Sequence, residues 1–339
     1  MYPNFIGIGA QKSGTTWLSR NLGLHPEIWI PSVKEVHYFD DRIKDPANPL
    51  SRFRSKLIGD DTLDRRWRRI ARTQAKRHLR GLSAGEVLWD LKYLFGSPGD
   101  GWYASLFDGR KGRAIGEITP AYSMLGPEAV AHVHELMPDA KLIFMMRNPV
   151  ERAWSQAAGR FNRASERNDP EHARDARLRR HFDSERSHLR TDYLGTLERW
   201  GAFYHEEQIF VGFLEDVRFF PQELLRSLYE FLGVDPAFEP PGTEQRVHTR
   251  SVGRLPASPL VYLARAYHEE IRELHERFGG YASFWLYCAE TLIENPPEEE
   301  FIPYPFWDSS RWKRWVANSD GDSKQPRFQS GPLPSVYGS

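Results

Sequence analysis

This 339-residue sequence predicts an α/β fold, with a mostly parallel sheet covered by helices on both faces. Two observations carry that prediction. Short apolar runs at 5–9, 112–119, 140–147 and 208–214 alternate with stretches of helical spacing. Strands separated by helices pair in parallel and bury both sheet faces. The first run also leads straight into a glycine-bounded loop, FIGIGAQKSGTTW at 5–17.

Phe5 to Gly9 reads as a short buried strand, and TTWLSRNLGLH follows as a helix that ends before Pro26. Residues 41–110 loosen into polar, helix-leaning sequence, predicted to be a helical, basic insertion. GRAIGEIT (112–119) is the second strand, GPEAVAHVHELMP a helix, and AKLIFMMR (140–147) a strongly apolar strand. Pro149 opens the helix PVERAWSQAAGRF in its favoured first turn. Residues 162–187 read as a charged, apolar-poor connection. A helix around LGTLERWGAFYH, the strand QIFVGFL and the helix PQELLRSLYEFLGV complete the alternation, with further helix at 258–277. The expected domain runs from 1 to 317, and 318–339, rich in Ser, Gly, Pro and Asp, is expected to be loosely held.

Composition narrows the function. Lys plus Arg balances Asp plus Glu at 46 each, so no global charge calls for nucleic acid or a membrane surface. Attraction for an anion has to be local. The single cysteine, Cys288, rules out an intrachain disulfide and a cysteine-built metal site, and it reads as a small buried hydrophobe. No apolar run is long enough for a membrane span, and the residues before Phe5 lead to the expectation of no signal peptide. The expected location is the cytoplasm, and nothing in the chain sets an oligomeric state.

The loop carries the chemistry. A strand, a glycine-containing loop and a helix N-terminus form an anion cradle of backbone N–H groups. Gly9 and Gly14 have the spacing of the triphosphatase motif, and Thr16 takes its hydroxyl position. Position 15 is Thr15 where that motif has lysine, and the lysine stands inside the loop as Lys12. A triphosphatase also needs an acid ending a neighbouring strand to hold magnesium. Here AKLIFMMR ends in Arg147, which attracts phosphate and repels a cation. The site suits a nucleotide with several phosphates that donates a group without a metal.

Four stretches in order, QKSGTTW (11–17), KEVHYFD (34–40), GEITPAY (116–122) and RNPVERAWSQ (147–156), make the chain resemble sulfotransferases that use 3′-phosphoadenosine 5′-phosphosulfate, PAPS. It is most similar to the heparan sulfate glucosaminyl branch and its bacterial relatives. The resemblance covers roughly the first 160 residues and continues more vaguely over 190–275. It implies the sulfotransferase fold, PAPS as donor, the bisphosphate PAP as product and no metal.

By that resemblance Lys12 binds the phosphosulfate and stabilises the bridging oxygen as the sulfuryl group leaves. Ser13, Gly14, Thr15 and Thr16 supply backbone and hydroxyl donors, and Trp17 either stacks on adenine or belongs to the core. Arg147 and Ser155 hold the 3′-phosphate, against a plain ion pair of Arg147 with Glu151. Arg152 is expected to pair with a carboxylate. Glu35 is the implied base, with His37 and Asp40 supporting it. Two other readings of KEVHYFD stay open: His37 as base, because its ordinary pKa suits neutral pH, and Lys34–Glu35 as a surface ion pair. Alternation in an extended segment would point Glu35 and His37 the same way. Glu117 is a candidate for the acceptor-pocket wall, shaped further by Pro120 and Tyr122. Arg250, Gly253 and Arg254, in RVHTRSVGRLP, stand where the family closes a basic loop over the nucleotide.

RRWRRIARTQAKRHLR (65–80) has eight Lys or Arg and no acid, with Trp67, Ile70, Ala71, Ala75 and Leu79 on one helical side. It is either a solvated face or a guide for an anionic acceptor such as a glycan. The expected enzyme moves a sulfuryl group from PAPS, in line and without a metal, to an acceptor hydroxyl on a sugar or small molecule. A P-loop kinase using ATP and a non-catalytic nucleotide-binding module are the alternatives.

Overall fold

The computed structural model describes residues 1–40, 62–78, 84–161, 171–242, 254–318 and 327–334. Its strands are β1 (Phe5–Gly9), β2 (Ile28–Trp29), β3 (Ala114–Ile118), β4 (Lys141–Met146), β5 (Ile209–Phe213), β6 (Arg254–Pro256), β7 (Phe301–Pro303) and β8 (Gly331–Pro332). Six of them form one sheet in the order β2-β3-β1-β4-β5-β8. All its pairings are parallel except that of β8, which runs antiparallel along β5. β6 and β7 make a separate antiparallel ribbon.

The strands are apolar throughout because both faces are buried. Along β4, Leu142, Phe144 and Met146 enter one core while Ile143 and Met145 enter the other, the two-residue period of a pleated strand. Helices Thr15–Leu22 and Pro221–Leu232 cover the second face with Leu18, Leu22, Leu224 and Leu228. Helices Pro149–Phe161, Tyr193–Gly201, Ala257–Ala266 and Gly280–Glu294 cover the first. The fold is the α/β one expected.

Three expectations change. The stretch 162–187 is not a plain connection: residues Glu171–Phe182 and Glu185–Leu189 are helical, and Leu178 and Phe182 anchor the first of these helices in the core. Residues 162–170 lie outside the described residues. The insertion is helical where described, at Thr62–His78, Ala84–Phe95 and Asp100–Ser105, but Trp89, Tyr103 and Phe107 belong to the main core. In the stretch expected to be loose, residues 327–334 lie along the sheet edge. There the carboxylate of Asp216 accepts the Gln329 and Ser330 backbone N–H groups at 3.1 and 2.8 Å and the Ser330 hydroxyl at 2.6 Å. Cys288 is fully buried in the helix Gly280–Glu294. No helix among the described residues is long and apolar enough to cross a membrane.

Candidate active site

The loop after β1 sits where a side chain cannot. A Cβ on Gly9 would come within 2.7 Å of the Phe144 ring, and Gly14 has φ 86°, where a Cβ is also strained and would meet Leu214 at 2.9 Å. Gly14 caps the helix Thr15–Leu22 with no side chain in the way, and no acid occupies the first turn. The cradle's first-turn N–H groups therefore meet no carboxylate of their own helix. Lys12 is exposed and has φ 77°. Ser13 and Thr15 are buried at 0% and 5% exposure, so an outward donor role falls to their backbone. Trp17, 4% exposed, packs beside Leu18 and Leu22. Its ring serves the core, and adenine stacking would need a face that this packing covers.

Thr16 is tied to the second motif. Its hydroxyl accepts a hydrogen bond from Lys34 Nζ at 2.7 Å, and the same ammonium lies 3.2 Å from Glu35 Oε1. Glu35 Oε2 then contacts His37 Nε2 at 3.2 Å, and His37 Nδ1 contacts Asp40 Oδ2 at 2.7 Å. A continuous polar chain thus runs from the phosphate loop to Asp40. The Lys34–Glu35 ion pair exists, yet it is one link of this chain and not an isolated surface pair. Lys34 was missed as a site residue, although its position just before Glu35 was visible.

Glu35 and His37 do face one another, but not through strand alternation. Their φ values are 68° and 57°, left-handed at both. With Lys12 they are the only non-glycine residues of positive φ among the described residues. Such a conformation costs roughly 1–2 kcal/mol per residue, and this strain collects at functional sites.

The charges follow from the contacts. Burial pushes Glu35 up, but His37 and Lys34 outweigh it and bring its pKa down to about 2. Burial pushes His37 down, but Asp40 and Glu35 outweigh it and raise its pKa to about 9, with Arg66 opposing. At neutral pH the pair is therefore carboxylate and imidazolium. The carboxylate is lost as pH falls through about 2, and the imidazolium as pH rises through about 9.

Glu117 does not line a pocket. It is 1% exposed and accepts four hydrogen bonds: Oε1 from Tyr103 at 2.8 Å and Tyr122 at 2.9 Å, Oε2 from Thr119 at 2.7 Å and the Val36 N–H at 3.2 Å. Burial raises its pKa against those bonds. Tyr122 is an interior hub, 0% exposed, and not a wall.

Arg147, at the end of β4, is 5% exposed. It donates to the Lys12 carbonyl at 3.2 Å and to the Tyr304 hydroxyl, and it lies 3.5 Å from Glu151. Both ideas for Arg147 thus meet here: it touches the phosphate loop and also pairs with Glu151. Burial works against its charge, yet Tyr304 and Glu151 outweigh burial and raise its pKa. Among the described residues its buried Nε has no hydrogen-bond partner. Ser155 is half-buried on the next helix. Arg152 pairs with no carboxylate among the described contacts: it is fully buried and donates to Thr191, Gln156 and the Ser187 carbonyl. Arg250 and Gly253 lie outside the described residues, and Arg254 is described only as the first residue of β6.

The basic helix Thr62–His78 lies against this site. Arg66 donates to the Glu35 carbonyl at 2.8 Å, and the buried Gln74 donates to Ser32 at 3.2 Å. Arg65, Arg69, Arg72 and Lys76 are exposed. The buried side runs through Trp67, Ile70 and Gln74, while Ala75 is exposed and Leu79 lies outside the described residues.

Comparison with known proteins gives the family and the fold. The profile described as the sulfotransferase family matches residues 3–240. Among curated proteins, the membrane-associated sulfotransferase kil1 of Dictyostelium discoideum is 29% identical over 154 residues, 45% of this chain and 22% of that protein. Carbohydrate sulfotransferase 15 of Mus musculus is 28% identical over 159 residues, 45% of this chain and 26% of that protein. The matched region is thus about a quarter of each relative's length. Among solved structures, a sulfotransferase from Alicyclobacillus acidocaldarius superposes with a TM-score of 0.53 at 24% identity, covering 81% of this chain and 95% of that one.

Proposed function

This chain belongs to the sulfotransferase family, and we propose that it transfers a sulfuryl group from PAPS to an acceptor hydroxyl. The observation that carries the proposal is the chain of contacts from Thr16 through Lys34 to Glu35 and His37, joining an anion cradle to an acid–base pair. The same contacts weigh against a kinase. In a triphosphatase the hydroxyl at Thr16 would turn to magnesium, and here a lysine ammonium already donates to it.

PAPS supplies an activated sulfur with a good phosphate leaving group. The acceptor oxygen bonds to sulfur as the bond from sulfur to the bridging phosphate oxygen breaks, and the bisphosphate leaves with the electron pair. Lys12 neutralises charge on that oxygen, and Arg147 binds the 3′-phosphate. Glu35 takes the acceptor proton. His37 is the poorer candidate, because Asp40 and Glu35 outweigh burial and raise its pKa, which favours the protonated ring. A carboxylate held at about 2 is a weak base. It suffices because the hydroxyl becomes strongly acidic as its oxygen bonds to sulfur. His37 and Asp40 orient Glu35.

A carbohydrate is the first acceptor class to try, because one relative is named a carbohydrate sulfotransferase. The test offers the protein sulfur-labelled PAPS and γ-phosphorus-labelled ATP, with a panel of sugars, amino sugars and phenols. Label from PAPS is expected on an acceptor hydroxyl. Phosphoryl transfer from ATP with PAPS left intact would sink the proposal.

A further inference from the structure

Three left-handed positions in one site need something to hold them. At Lys12 the Arg147 guanidinium holds the carbonyl at 3.2 Å. Glu35 and His37 have no glycine beside them and lie in a segment without regular structure. Their backbone is held by side chains instead. The Val36 N–H, between the two, donates to Glu117 at 3.2 Å, and the Tyr38 N–H, just beyond, donates to the Tyr122 hydroxyl at 3.1 Å. Tyr122 in turn donates to Glu117, as do Tyr103 and Thr119. From the other side Arg66 holds the Glu35 carbonyl at 2.8 Å.

We propose that Glu117, with Tyr122, is the positioning element for the Glu35–His37 pair: it fixes the backbone N–H groups that flank His37 and so keeps the two side chains in contact. Glu117 touches neither the acceptor nor the nucleotide in this account, and it acts through Val36 and Tyr38. The proposal rests on the acid–base reading of Glu35 and His37 given above.

The bonds differ in what they can tolerate. Hydroxyls of Tyr103, Tyr122 and Thr119 rotate and can accept as well as donate. A backbone N–H can only donate, so Val36 requires an acceptor at the Glu117 position. A glutamine there can turn its oxygen to Val36 and its amide to the tyrosine hydroxyls. Glu117→Gln therefore keeps the positioning while removing the charge. Tyr122→Phe keeps the packed ring but takes away the acceptor for the Tyr38 N–H and one donor to Glu117.

Three charged groups act on His37: Glu35 on Nε2, Asp40 on Nδ1, and Arg66 from the basic helix. Tyr122→Phe alters none of these charges. A change in His37 titration in that variant therefore reads geometry.

The experiment is an NMR titration of the His37 ring in the full chain, alongside the affinity for adenosine 3′,5′-bisphosphate. In Tyr122→Phe the midpoint should fall by about one unit or more as Glu35 draws away from the ring, with bisphosphate affinity unchanged. In Glu117→Gln it should stay at the parent value. An unshifted midpoint in folded Tyr122→Phe overturns the proposal. So does a fall in Glu117→Gln, because the charge and not the bond would then be what matters. Neither measurement needs an acceptor or turnover, so both read the positioning whatever reaction the protein proves to catalyse.

Discussion

The two halves of the candidate site are built by different means. The phosphate half is held by its own chain: β1 ends, glycines allow the turn, and Arg147 closes it from the end of the next strand through the Lys12 carbonyl. The base half is held from a distance. The left-handed segment of Glu35 and His37 is bonded by side chains on β3, on the turn after it and on the basic helix. One half is a glycine turn closed by a long-range contact; the other has its backbone held by several. Lys34 joins them.

This difference separates two measurable quantities, affinity for the nucleotide and the rate of the chemical step. The largest expected effect falls on the base half. Glu35→Gln should lower single-turnover sulfuryl transfer by about 10²–10⁴-fold, the usual worth of a positioned base. Affinity for the bisphosphate should hardly change. His37→Ala should cost less if, as proposed, histidine only orients the base. If His37→Ala proves the more damaging and Glu35→Gln is nearly silent, the roles are reversed.

A smaller effect, on affinity instead of rate, is expected in the phosphate half. Arg147→Ala should weaken binding of the bisphosphate by about 1.5–3 kcal/mol, the loss of a charge-assisted hydrogen bond. That is roughly a 10- to 150-fold change in Kd. Adenosine 5′-phosphate should lose much less, since it lacks the 3′-phosphate. Equal losses for the two ligands in calorimetric titrations would remove Arg147 from this role and blur the division between the halves.

The same contrast explains what was legible in the sequence. The four strands β1, β3, β4 and β5 were legible because each is a continuous apolar run buried on both faces. β2 and β8 are two residues long and carry no period to read. The helix Gly280–Glu294 was missed although its signal is present: Tyr281, Phe284, Trp285, Cys288, Ala289 and Leu292 recur at helical spacing. The phosphate loop was legible from glycine spacing, since backbone geometry dictates it. Glu35, His37 and Asp40 could be named from KEVHYFD, but not how they meet. That depends on Glu117, 81 residues beyond Val36, and on Arg66 across the insertion. Arg152 looked like an ion-pairing residue, yet the interior met it with hydroxyl, amide and carbonyl oxygens.

The central claim is that the cradle around Lys12 and Arg147 is made for a 3′-phosphorylated nucleotide and not for a metal nucleotide. Thermal unfolding with adenosine 3′,5′-bisphosphate, set against ATP with magnesium, tests it most directly. At 100 times its Kd a ligand adds about 2.7 kcal/mol to native stability. A clear upward shift is expected with the bisphosphate and a much smaller one with ATP and magnesium at the same concentration. Equal shifts, or a larger one with ATP, would contradict it.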